Sequence, residues 1–159
     1  MPRELLKARE FLFLTEELAM RALPPGIPQP SRRVMWTILQ LSWGEPAFHV
    51  ELQPQPARGI VELGLHFEGA PEANDARAAL VAAHAAPLMA ALGPAWELEA
   101  WTASWRRLHR TFPFETLTRQ LAETVASELS RVLPVLYPFC LPVPEPRLSL
   151  SAAADTLAS

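Results

Sequence analysis

The chain is poor in cysteine, lysine, glycine and long apolar runs, and each shortage closes off a class of protein. Cys140 is the only cysteine in 159 residues. No intrachain disulfide can form, and a cysteine-built metal site is all but excluded. Lys7 is the only lysine, so the other basic side chains are guanidiniums, a bias in keeping with genome composition. The net charge of −3 gives no global pull toward nucleic acid or anionic lipid, although local patches remain. No stretch approaches the roughly 20 apolar residues of a membrane span. Met1 to Arg21 does not read as a secretory signal, because Glu4, Glu10, Glu16 and Glu17 interrupt it. A cytoplasmic location is expected. The six glycines form no phosphate-cradling loop, since Gly59 and Gly64 fall within a strand pattern. No cofactor is expected. Ser104, Ser127 and Ser130 lack a nucleophile-elbow setting.

What is present begins with Gly59 to Glu68. Val61, Leu63, Leu65 and Phe67 alternate with Glu62, Gly64, His66 and Glu68. Period two places one set on each face of a strand, and the apolar set needs helices to cover it. Residues 3–22 carry a helical stripe of Leu5, Ala8, Leu12 and Ala19. The Pro24 to Pro30 segment ends that helix and forms a stiff connector. Arg33 to Trp43 reads as one strand and Ala47 to Gln53 as the next, joined by a two-residue Gly44-Glu45 turn. That turn sets Leu41 opposite Phe48 and Leu39 opposite Val50. The matching register onto the central strand sets Leu52 opposite Val61 and Glu51 opposite Glu62.

Asn74 to Leu92 reads as an alanine-rich helix that Pro87 must kink or divide, with Leu80 and His84 on its apolar line. The stretch from Trp96 to Arg110 folds into a hairpin at 102–104. Trp101 then faces Trp105, Glu99 faces Arg107 and Glu97 faces His109, a register favoured by opposite charges and an aromatic pair. Pro113 to about Val135 reads as the last helix, ended by Pro134 and Pro138. Cys140 reads as a small buried hydrophobe. The expected fold is α+β, with a single, mainly antiparallel sheet in the order α-β-β-β-α-β-β-α and helices mainly on one face. Residues 1–140 form one domain; 141–159 is a Pro-, Ser- and Ala-rich tail.

Three surfaces carry chemistry. His49, Glu51, Glu62 and His66 share the polar sheet face, because i and i+2 point the same way. Imidazoles and carboxylates there could hold a divalent cation, or form a solvated charged face. Trp101, Trp105, Arg106, Arg107 and Arg110 mix indoles with guanidiniums, the combination that stacks on bases and neutralises phosphates. An ordinary Trp-clamped hairpin is the plain alternative. Trp36 and Ile38 are large apolar side chains on an otherwise polar face, which marks a contact surface.

The run VELGLHFEGAPEAN, a helix ending in ALG, and then WELEAW resemble a small uncharacterised α+β domain found attached to restriction-endonuclease-like modules. The resemblance spans Gly59 to Pro138, with Asn74, Leu92-Gly93 and Trp96-Glu97 as its markers. No nuclease core accompanies it, so no nuclease activity is implied. The element order is also similar to that of dimeric secretion chaperones, which implies protein binding.

The function expected from these readings is non-enzymatic protein binding, chaperone- or adaptor-like, by a homodimer, through Trp36, Ile38, Trp101 and Trp105. A nucleic-acid accessory protein using the Trp/Arg hairpin is the rival. A metal-dependent hydrolase using the His/Glu face is the third reading.

Overall fold

A computed structural model of the protein describes residues 4–100 and 102–142. Four α-helices pack with one six-stranded antiparallel sheet ordered β1-β2-β3-β4-β6-β5. The strands are β1 (Ser31–Met35), β2 (Ile38–Ser42), β3 (Phe48–Gln55), β4 (Ile60–Phe67), β5 (Glu97–Ala100) and β6 (Arg106–Pro113). The helices are α1 (Ala8–Arg21), α2 (Pro71–Ala83), α3 (Ala85–Leu92) and α4 (Arg119–Cys140).

The alternation in β4 does what its pattern demands. Val61, Leu63, Leu65 and Phe67 are buried beside Leu39, Leu41, Val50 and Leu52 of the neighbouring strands. Phe11, Leu12 and Ala19 of α1 close over that face together with Val125, Leu129, Val132 and Leu136 of α4. Burying a side chain of this size contributes about 1.5–3 kcal/mol, so this layer dominates the fold's stability.

The segment 33–43 is two strands, because the chain reverses at Trp36-Thr37. Met35 pairs with Ile38, and Trp36 takes a left-handed φ of 50°. Trp36 therefore leaves the sheet face and stands 85% exposed at a hairpin tip, while Ile38 is half-buried. The β2–β3 loop spans five residues, not two. Pro46 cannot donate to a ladder, and the Phe48 N–H closes on the Glu45 carbonyl at 3.0 Å. Leu41 consequently faces Val50 and Leu39 faces Leu52. The β3–β4 register also moves by two residues: Leu52 faces Leu63, His49 faces His66, and Glu51 faces Gly64. A slip of two keeps every side chain on its face. The β5–β6 hairpin has the expected register, with Glu97 opposite His109 and Glu99 opposite Arg107.

The helices differ from expectation mainly at their ends. α1 starts at Ala8, and Leu5 instead forms a bridge with Thr118. The alanine-rich helix divides at His84, which is exposed. Pro113 belongs to β6, and α4 begins after Thr118, whose hydroxyl accepts from the Leu121 N–H at 3.1 Å. Pro134 and Pro138 lie inside α4. The buried stripe through Leu133, Leu136 and Cys140 outweighs the roughly 3 kcal/mol that each interior proline costs. Burial pushes the Cys140 thiol up to about 12, as befits an inert core side chain. Residues 143–159, the expected tail, lie outside the described residues.

Candidate functional site

The polar face of the sheet is assembled in cross-strand rows. His49, His66, Arg107 and Glu99 form one row across β3, β4, β6 and β5. Glu51, Gly64, His109 and Glu97 form the next. Gly64 leaves the gap into which these side chains converge: a Cβ built there would stand 2.6 Å from the His109 Cβ. The face is buried, with His66, His49, Glu62 and Glu51 all under 5% exposed. Buried charges of this kind persist only when paired.

Two histidines sit at its centre, their rings stacked 5.7 Å apart. His49 Nδ1 lies 2.8 Å from the Pro46 carbonyl oxygen. A carbonyl only accepts, so Nδ1 donates to it. Nε2 faces Glu51 Oε1, 3.5 Å away, and Glu68 Oε2, 3.8 Å away. His49 Nε2 has no hydrogen-bond partner among the described residues. His66 differs, because both of its ring nitrogens meet carboxylates, which only accept. Its Nε2 meets Glu62 Oε1 at 2.9 Å, while its Nδ1 faces Glu68 Oε1 at 3.1 Å and Glu51 Oε2 at 3.6 Å.

The charges around this pair are held in place. Gln40 donates to Glu51 at 3.1 Å, and Arg107 donates to Glu62 at 2.8 Å and to Glu99 at 2.5 Å. Burial pushes the Glu51 carboxyl upward, but His49, His66 and Gln40 outweigh it and hold the group below its ordinary value. Glu62 is likewise driven up by burial and brought below its ordinary value by His66, Arg107 and His109. Burial opposes charge on His66, yet Glu62, Glu68 and Glu51 push it up to about 9. His109 is lowered, by burial first and then by Arg107.

Of the four residues expected to converge, His49, Glu51 and His66 do so. Glu62 stands behind His66, and Glu68 takes its place in the set. Glu68 follows the last residue of β4, but its N–H still bonds the Ala47 carbonyl at 2.8 Å. Strand alternation thus persists one residue further, and the His66-Phe67-Glu68 spacing is the signal that finds it.

The arginines of the hairpin all face carboxylates. Arg106 reaches Asp75 at 3.3 Å, Arg107 binds Glu62 and Glu99, and Arg110 lies over the Phe112 ring, 3.4 Å from Glu128. Trp105 is half-buried. Trp101 lies outside the described residues, so the readings placed on it stay expectations.

At the opposite edge, β1 has a strand on one side only. Among the described residues, no hydrogen bond from another element reaches its backbone. Arg32 is held by both Glu16 oxygens, at 2.5 and 2.7 Å, while Arg33 is exposed and faces no carboxylate among the described residues. Arg9 donates to the Trp36 carbonyl at 2.9 Å and sits 5.2 Å over the Phe13 ring. α1 thereby anchors the exposed turn.

No family model, curated protein or solved structure matches the chain. The two resemblances drawn from the sequence therefore stand on their motifs and topology alone.

Proposed function

We propose that the protein works by binding another protein, taking an extended acidic segment of it alongside β1. The supporting observation is the open edge itself: among the described residues, a strand without a second neighbour, an Arg33 facing no carboxylate and an indole held out at Trp36. Such an edge supplies backbone hydrogen bonds for affinity, and the side chains beside it supply selectivity. Its charge selects the occupant. A second copy pairing β1 with β1 about the strand centre would set Arg33 against Arg33, and like charges opposite each other destabilise a pair. Glutamates at alternate positions of a partner strand would share the sheet face of Arg33, while the apolar residues between them would lie on the other face, toward Phe13 of α1.

The hairpin arginines do not support the nucleic-acid reading equally well, since each is already beside a carboxylate. The homodimer expectation keeps one route at this edge. β5 carries Glu97 and Glu99, so β1 of one copy could pair with β5 of another, and that head-to-tail contact would grow as an open chain.

The test uses a synthetic peptide of about six residues alternating Glu and Ile, a typical strand length. The expected result is binding that weakens with salt and new amide-exchange protection confined to 31–36. Arg33→Glu or Trp36→Ala should each weaken it by about tenfold or more. Equal binding of the Lys/Ile counterpart, or protection elsewhere, would overturn the proposal. Growth of the protein alone into larger species, with β1 protected, would assign the edge to other copies instead.

A further inference from the structure

We propose that His49 Nε2, His66 Nδ1, Glu51 and Glu68 form a binding site for one divalent transition-metal ion of the zinc class. This rests on a different surface from the β1 edge and stands without it.

The geometry is that of a ligand set. Four donors placed tetrahedrally at about 2.0–2.1 Å from a zinc ion lie roughly 3.4 Å from one another. His49 Nε2 lies 3.5 and 3.8 Å from Glu51 Oε1 and Glu68 Oε2, and His66 Nδ1 lies 3.6 and 3.1 Å from the other oxygen of each carboxylate. The donors all lie within 4.8 Å of each other. Two imidazoles with two carboxylates suit zinc and its neighbours, and they suit magnesium or calcium, which prefer all-oxygen sites, far less.

The acidic residues alone would not identify a site; His49 does. Its side chain is 2% exposed, and its Nε2 has no hydrogen-bond partner among the described residues while facing two carboxylate oxygens. A buried nitrogen left without a partner beside two carboxylates is costly, and a cation between them would satisfy all three. The outer contacts are those that metal-binding histidines use. The Pro46 carbonyl accepts from His49 Nδ1, and Glu62, itself held by Arg107, accepts from His66 Nε2, so an ion at His66 Nδ1 would displace the proton there.

Burial assigns the site a role. Among the four, Glu68 has the most exposed side chain at 15%, the others lying at 6% or less. A four-donor site closed in this way locks strands together and leaves little room for a reacting water. The ion would tie β3 to the residue following β4, at the end of the sheet where the loop from Trp43 to Ala47 approaches.

Untagged protein, stripped with chelator, is titrated with zinc chloride against a competing chelator dye. One ion per chain is expected, with a raised melting temperature. Glu68→Gln, at the most accessible ligand, should fold and lose about tenfold or more in affinity, together with most of the thermal shift. His49→Asn should lose more. His84→Ala, which removes an exposed histidine outside the set, should change nothing. Cobalt in place of zinc should give the visible spectrum of a tetrahedral nitrogen and oxygen site. Sub-stoichiometric binding, or zinc affinity unchanged by Glu68→Gln, would overturn the proposal even if His49→Asn failed to fold.

Discussion

At the scale of single residues, Gly64 and Trp36 show opposite solutions to a crowded backbone. Gly64 sits where a methyl group would fall 2.6 Å from the His109 Cβ and 3.1 Å from the Leu108 carbonyl oxygen. Neither can yield without moving β6. Gly64→Ala should therefore destabilise the protein by about 1–3 kcal/mol, read as a lower urea midpoint; an unchanged midpoint would show that the rows are not this close. Trp36 is a bulky residue at φ 50°, a conformation that costs an L-residue roughly 1–2 kcal/mol. Trp36→Gly should raise stability by about 1 kcal/mol while weakening the Glu/Ile peptide. A stabilised variant with full peptide binding would remove the indole from the recognition surface. Neither position was legible in the sequence. Gly64 reads as a strand residue of no special kind, and Val34-Met35-Trp36-Thr37-Ile38 contains none of the glycine or asparagine that signals a reversal.

At the scale of elements, the sequence showed faces better than registers. Alternation in β3 and β4 assigns each side chain to a side of the sheet, and those assignments hold. It cannot distinguish registers that differ by two, because both bury the same residues. The β5–β6 register was readable over Glu97 and Glu99 because charge pairs add a longitudinal signal: each needs a basic partner at one position. The end of α4 was misread because two prolines were weighed as stops while the apolar stripe ran on past them to Cys140.

Contacts between elements also set the acid response. Glu128 of α4 accepts from Trp96 at 3.1 Å, binds Arg131 and lies 3.4 Å from Arg110 of β6. Burial raises its carboxyl, but Arg131, Trp96 and Arg110 together bring it below its ordinary value. A carboxyl lowered by folding stabilises the folded state above its unfolded value of about 4.5. That contribution disappears as pH falls through the lower, folded value. Acid titration of stability should therefore be shallower below pH 4.5 in Glu128→Gln than in the parent. Identical slopes would mean that this link between α4 and the sheet has little weight.

At the scale of the whole molecule, one sheet serves two purposes. Its apolar side carries the core under α1 and α4, while its polar side gathers charges that would each be costly alone. The candidate cluster was partly legible for the same reason as the fold. Spacing of two put His49 with Glu51 and His66 with Glu62 on one face, but pairing decides which carboxylate closes the set. With His49 opposite His66, Glu68 falls beside both rings and Glu62 falls behind one.

The most direct test is a nitrogen-15 spectrum of the histidine rings in metal-free protein near neutral pH. The expected result is a His49 Nδ1 proton slow to exchange, with a cross-strand contact to His66. A His49 Nδ1 proton exchanging freely with water, or rings without that contact, would contradict the buried pairing from which the metal site is inferred.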